Sequence, residues 1–163
     1  MNHKTRRQIR IEIIQILYKF ELLETPIDLK TIMDEFPYIN DEQLLTIKKI
    51  AKNYDFLKKT ISKFMNRDWS WDRVSPLIRG ILLNSANELF FLPPRIVINE
   101  ALEITKTYFP KANLSEEELK KDREFDHIQY RFVNGILENY YKLLVHLEYY
   151  SAKDDAVSEK ESK

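Results

Sequence analysis

The chain has 163 residues, no cysteine, and 26 basic against 26 acidic residues, so its formal net charge is zero. This excludes disulfides, thiolate metal sites and cysteine nucleophiles, and a nucleic-acid binder with such a balance must concentrate its positive charge locally. Glycine occurs only at Gly80 and Gly135, and scarce glycine with long 3.6-residue apolar periods points to an all-α fold.

Thr5-Arg6-Arg7-Gln8 has the form of a capping box, with Thr5 as N-cap and Gln8 returning the bond. The helix it opens runs to about Leu23 and carries two apolar stripes. Ile9, Ile13, Ile16, Leu17 and Phe20 fall on one face; Ile11, Ile14, Tyr18 and Leu22 fall on the opposite one. The second stripe is either buried in a second layer or left for a partner. Thr25-Pro26 breaks this helix, and a short one is expected over residues 27–35. Pro37 ends that, and Asn40 with Gln43 resembles a further cap. One long helix is then expected to about Asn66, through Leu44, Ile47, Ile50, Tyr54, Leu57 and Ile61. Its outer face is lysine-rich (Lys48, Lys49, Lys52, Lys58, Lys59, Lys63), which reads as a solvated face that could also widen a phosphate-binding surface.

Trp69 and Trp71 could stack on bases but are expected to plug one end of a helical core. Ser75-Pro76 suits an N-cap followed by proline in the first turn. Leu77, Ile78, Ile81, Leu82 and Leu89 carry a helix up to Pro93, and Gly80, Ser85 and Ala86 would let another helix approach closely. Pro93-Pro94 preset the next helix. There Val97, Ala101, Ile104 and Tyr108 recur at helical spacing with Ile98 and Leu102 beside them, so this helix is expected to be central. Asn99 and Glu100 in its first turns are expected to tie it to another helix, with Asn134 a candidate on the other side. Residues 111–131 are highly charged, and Ser115 with Glu118 would cap a short exposed helix. A last helix follows through Phe132, Val133, Ile136, Leu137, Tyr140 and Leu144. Gly135 within it costs about 1 kcal/mol against alanine, which close backbone packing would explain. Residues 1–150 read as one helical domain and 151–163 as a disordered polar tail.

The motifs of catalysis are missing: there is no Gly-rich phosphate loop and no GxSxG elbow. His3, His127 and His146 are scattered and read as surface or packing residues, and Glu116-Glu117-Glu118 as a solvated helix start. No catalytic residue, cofactor or metal site is expected. No segment is apolar over the roughly 20 residues that a membrane span needs. The basic start lacks the small-residue cleavage site of a secretory signal. With the absent cysteine, these features suit a cytoplasmic protein. The remaining signal is Lys4, Arg6, Arg7 and Arg10 at the start of the first helix. Guanidinium groups donate in pairs to phosphate, and a helix N-terminus adds free N–H groups.

Arg6-Arg7-x-x-Arg10 followed by Gln15-x-Leu17-Tyr18, Pro94-x-x-Val97-Ile98-Asn99-Glu100-Ala101, Phe132-Val133-Asn134-Gly135-x-Leu137, and the shorter Trp71-Asp72-Arg73-Val74 and Asn87-Glu88-Leu89 form an ordered set of motifs. Together they resemble the NusB family of bacterial transcription antitermination factors: the first its start, the second its strongest internal motif, the third its C-terminal one, and the last two weaker motifs. The resemblance implies a bundle of about seven helices in two packed halves. It implies binding of boxA-type single-stranded leader RNA together with NusE, a small-subunit ribosomal protein, within the RNA polymerase elongation complex. RNA would lie on Lys4, Arg6, Arg7 and Arg10. The family's partner-facing tyrosine matches at Tyr18, which with Ile14 and Leu22 would then dock the ribosomal protein. Gln8 and Ile9 thin the basic cluster, Leu83 stands where the family often has arginine, and Ile78 where it has an acidic partner contact. The alternatives are the NusB-like RNA-binding domain of a ribosomal RNA methyltransferase, whose Gly-rich cofactor loop this chain lacks, and a helical interaction module without an RNA role.

Overall fold

The computed structural model describes residues 3–109 and 116–147, with the backbone alone over 116–127. Its helices are α1 (Arg6–Leu23), α2 (Leu29–Glu35), α3 (Asp41–Lys52), α4 (Tyr54–Ser62), α5 (Pro76–Glu88), α6 (Pro94–Tyr108) and α7 (Glu116–His146), with a 3-10 turn at Trp71–Arg73; there is no strand among the described residues. Capping chemistry sets most of the boundaries. The Thr5 hydroxyl accepts from the Gln8 amide, and Asn40 and Gln43 close a complete capping box. Pro76 and Pro94 occupy first turns, where no amide proton is needed. At the other end of α1, Glu24 takes the left-handed conformation (φ 54°). The Thr25 amide then reaches back to the Phe20 carbonyl and the Glu24 amide to that of Glu21, a paired closure that satisfies the last carbonyls of the helix.

The buried helix is α5, not α6 as the apolar spacing suggests. Every residue from Ile78 to Leu89 is buried, including Arg79, Asn84, Asn87 and Glu88. Helix α6 buries Val97, Ala101, Leu102, Ile104 and Thr105 but exposes Ile96 and Asn99. Around α5 the molecule divides into two packed halves. Helices α5, α6 and α7 pack on one another. Helices α1, α3 and α4 form the other half and meet the first chiefly through α5. Tyr140 of α7 lies at the seam, fully buried, its hydroxyl 2.9 Å from Thr60 Oγ1 of α4.

Other expectations change for identifiable reasons. The single long helix after Asn40 is two, divided at Asn53 (φ −101°, ψ 13°). Trp71 plugs the core as expected, whereas Trp69 stays 42 % exposed and leans on Phe132 at 5.5 Å between ring centres. The charged segment and the last helix are one helix of 31 residues from Glu116; Ser115 and the tail 151–163 lie outside the described residues. The second stripe of α1 is split. Ile14 is fully buried, while Tyr18 and Leu22 are 36 % and 55 % exposed.

That split comes from Gly80. A Cβ there would meet the Ile14 carbonyl oxygen at 3.1 Å and the Tyr18 amide nitrogen at 3.4 Å, so α5 lies directly on the backbone of α1. At Gly135 the same atom would meet nothing within 4 Å, so close packing is not what places glycine there. The two glycines should therefore respond oppositely to alanine. Gly135→Ala gains helix propensity without a clash and should stabilise by about 0.5–1 kcal/mol. Gly80→Ala makes the same gain but presses on packed backbone, where overpacking costs ~1–3 kcal/mol, and should be net destabilising. Urea unfolding of both variants reads the two signs.

Candidate nucleic-acid interface

The four cations at the start of α1 are all brought to one end of the molecule, and each meets a carboxylate. Lys4 Nζ lies 2.7 Å from Glu12 Oε2 and 2.8 Å from Gln43 Oε1, and also donates to the Tyr38 carbonyl. Arg6 pairs with Glu42 in the first turn of α3. Arg7 donates to both oxygens of Glu100 on α6, each at 3.0 Å. Arg10 Nε donates to the Glu88 carboxylate at the end of α5, at 2.9 and 3.0 Å to its two oxygens, with Nη2 2.9 Å from Oε2. Asn84 Nδ2 donates to the same carboxylate at 2.8 Å.

Exposure grades the set. The side chains of Arg6 and Arg7 are 74 % and 49 % exposed, those of Lys4 and Arg10 only 18 % and 12 %. Arg6 can exchange its solvated Glu42 partner for phosphate at little cost, since exposed ion pairs contribute little; Arg7, half exposed, is held by Glu100, whose side chain is only 23 % exposed. Arg10 cannot make the exchange: withdrawing it leaves Glu88 buried and unpaired. Lys4 is likewise spent on tying α1 to the start of α3 and the turn before it. The cations free to meet an outside anion are therefore fewer than the four at the start of α1. Hydrogen bonding from Arg7 holds the Glu100 carboxyl below its usual range against a smaller opposing effect of burial, and Glu100 keeps Arg7 firmly cationic.

The motif residues separate in space. Glu100 ties α6 to α1 through Arg7, and not to α7. Asn99 is exposed, and Asn134, half-buried on α7, has no hydrogen bond to either residue. Phe132 rests on Trp69 and Gly135 borders open space. Of the expected partner-facing residues, Ile14 is under α5 and cannot touch a partner in this fold. Tyr18 and Leu22, with Leu23 at 56 % exposure, form an apolar patch further along α1.

Sequence reasoning singled out Glu100 as a tie to another helix but did not find Arg7 as its partner, nor the roles of Glu12, Glu42 and Glu88, nor a second buried ion pair. Arg79 of α5 donates to the Trp71 and Glu21 carbonyls at 3.0 and 3.1 Å, and its Nε lies 2.8 Å from Glu21 Oε2, close enough for an ion pair though not aligned as a hydrogen bond. The Tyr54 hydroxyl donates to the other Glu21 oxygen. Burial, and then that bond, raises the Tyr54 phenol well above its ordinary value, so it remains a donor. These groups line a cleft of about 670 Å³ with Phe20, Asp55 and Lys58. No group of three His, Cys, Asp or Glu side chains able to hold a metal occurs among the described residues; the side chains of Glu116–Glu118 and His127 are outside them. His3 and His146 are exposed. No helix, among the described residues, is long and apolar enough to cross a membrane.

Two outcomes follow for stability. Arg10→Ala should cost ~3 kcal/mol because it breaks a buried pair, whereas Arg6→Ala should cost less than ~1 kcal/mol; urea unfolding separates them. The depressed Glu100 carboxyl stabilises the fold above the ordinary carboxylate pKa of about 4.3, and that contribution is lost as pH falls through its lower folded value. Between about pH 5 and pH 3 the melting temperature of the natural chain should therefore fall further than that of Glu100→Gln.

The chain's likenesses agree with this architecture. The NusB family model matches residues 7–115. A transcription antitermination protein NusB of Methylacidiphilum infernorum is 30% identical over 148 residues, covering 85% of this chain and 91% of the relative. One from Campylobacter jejuni is 31% identical over 140 residues, covering 82% and 93%. The solved structure of T. maritima NusB superposes with a TM-score of 0.64 at 26% identity, over 86% of this chain and 93% of that one. By sequence and by fold, the chain belongs to the NusB family.

Proposed function

We propose that the chain is a transcription antitermination factor that binds boxA-type single-stranded leader RNA together with a NusE-type ribosomal protein, in the cytoplasm and as part of an RNA polymerase elongation complex. The relatives named above are transcription antitermination proteins. The observation that carries the reading is the division of α1. Its first turn presents Arg6 and Arg7 to solvent, and its later turns present Tyr18 and Leu22. One rigid helix thus holds a phosphate-binding end and an apolar docking patch at a fixed separation. In this reading Arg6 and Arg7 contact RNA phosphates, Tyr18 and Leu22 contact the ribosomal protein, and Arg10 and Lys4 hold the arginine-bearing turn in place.

Electrostatics make the partner necessary. Two cation–phosphate contacts on a single strand give a salt slope of only about −1.4, so the chain alone binds RNA weakly. A second protein on the same RNA raises the effective concentration of each for the other.

Fluorescence anisotropy of a boxA-like RNA, titrated with this chain alone and with the ribosomal protein present, tests the proposal. Binding should be clearly tighter with the partner. Tyr18→Ala should abolish that gain while leaving binding by the chain alone unchanged. Arg7→Ala should weaken binding in both arms, and Glu100→Gln, which removes the competing carboxylate, should strengthen it. Equal affinity with and without the partner would overturn the docking assignment, and indifference to Arg7→Ala would overturn the RNA surface.

A further inference from the structure

The cations expected to hold RNA are all paired with carboxylates, whereas another set is not. Lys48, Lys49, Lys52, Lys59 and Lys63 are exposed on α3, on α4 and at the end of α4. None forms an ion pair, and none has an unassigned contact. Between residues 48 and 63 the chain carries six lysines and a single acid, Asp55, although its overall charge is balanced. This is a run of unneutralised positive charge among the described residues.

A run of lysines alone is commonly a solvated face. This one is interleaved with exposed rings. Phe91, in the turn between α5 and α6, is 43 % exposed and lies under Lys49, whose Nζ is 4.8 Å from the ring centre. Phe56 on α4 is 49 % exposed and packs 6.2 Å from Phe90, the residue before it. The turn therefore stands between Lys49 and Phe56, and Lys63 follows Phe56 by two helical turns on the same side of α4. Ammonium groups alternating with open aromatic faces are what a single strand uses, with phosphates on the former and stacked bases on the latter.

The face is also continuous with the arginines. Arg6 pairs with Glu42, and Lys49 lies seven residues further along the same side of α3, a rise of about 10 Å. We propose that Lys48, Lys49, Lys52, Lys59 and Lys63, with Phe56 and Phe91, form a second single-stranded RNA contact that takes the nucleotides flanking those held by Arg6 and Arg7. The inference rests on the RNA-binding reading above and extends it. It assigns the flanking contact to phosphate and stacking, so the flank is bound without regard to its sequence.

The test compares a short boxA-like RNA with one extended by mixed sequence at both ends, in anisotropy titrations at several salt concentrations. The natural chain should bind the extended RNA more tightly. With three lysine contacts that advantage should shrink by about 20-fold between 50 and 200 mM salt. Lys48→Gln/Lys49→Gln/Lys52→Gln should lose the advantage and bind the short RNA unchanged, and Phe91→Leu should lose part of it. Extended and short RNAs bound equally by the natural chain, or an advantage that survives the triple substitution, would overturn this second contact and leave the arginine site standing. Short-RNA binding that ignores Arg7→Ala while the triple variant binds no RNA would overturn the arginine site and support the lysine face.

Discussion

The fold depends on one helix pair. Helices α1 and α5 run antiparallel, because Arg10 meets Glu88, Ile14 and Tyr18 meet Gly80, and Glu21 meets Arg79. Each helix contributes one cation and then, further along the chain, one anion, so antiparallel packing sets the two ion pairs at the two ends of the contact. The glycine between them lets the backbones touch. Slipping the register by one turn would bury four charges without partners, which costs far more than the pairs contribute. The buried charges thus select one alignment, while Ile13, Ile16, Leu17, Ile81 and Leu82 supply the apolar burial that stabilises it.

Because α1 is held this way, everything on it has a fixed address. The basic turn lies at the end of α5, where Glu88, Glu100 and Glu42 converge from three helices, and the apolar patch of Tyr18 and Leu22 lies near the other clamp. Arg10 looks like a third member of an RNA-binding run and is instead half of a clamp. Its neighbour Arg7 is oriented by Glu100, whose carboxylate takes two guanidinium donors in the planar, paired geometry a phosphate would use, and Arg6 meets Glu42 through a single donor. In the proposed reading, RNA binding at this turn is an exchange of one anion for another. Such an exchange preserves side-chain order and weakens net affinity, which is why the proposed RNA contact calls for a partner on the same strand.

Local chemistry was the readable part of the sequence. Prolines 76 and 94, the Asn40–Gln43 box and the Thr5 cap act within a few residues, and they mark helix boundaries where the structure has them. Asn53 carries no such signal and divides a helix that periodicity runs together. The centrality of α5 was hidden by its own polar residues. Asn84, Asn87, Glu88 and Arg79 make it look less apolar than α6, yet they are buried: Glu88 and Arg79 by charges on α1, Asn84 by its bond to Glu88. The cations of the site were legible as a cluster, but the anions of its three arginines lie 36, 93 and 78 residues away along the chain, beyond any spacing rule. The one available hint was an acid inside an apolar helix, as at Glu88 and Glu100.

Neutralised and unneutralised charge then divide the labour of the surface. Where arginine is paired, its position is exact and its pull on distant anions is small, because the pair's field falls away quickly with distance. Where lysine is unpaired, as along α3 and α4, its position is loose but its field reaches to about the Debye length of ~8 Å at physiological salt. On the two proposed contacts together, an RNA approaching this molecule would meet the lysine field first and the arginine geometry second. The order matters for a chain with no net charge. Capture and recognition need not reside in the same residues, and substitutions on the lysine face should act on the rate of association, while those at Arg7 and Glu100 act on how long the strand stays.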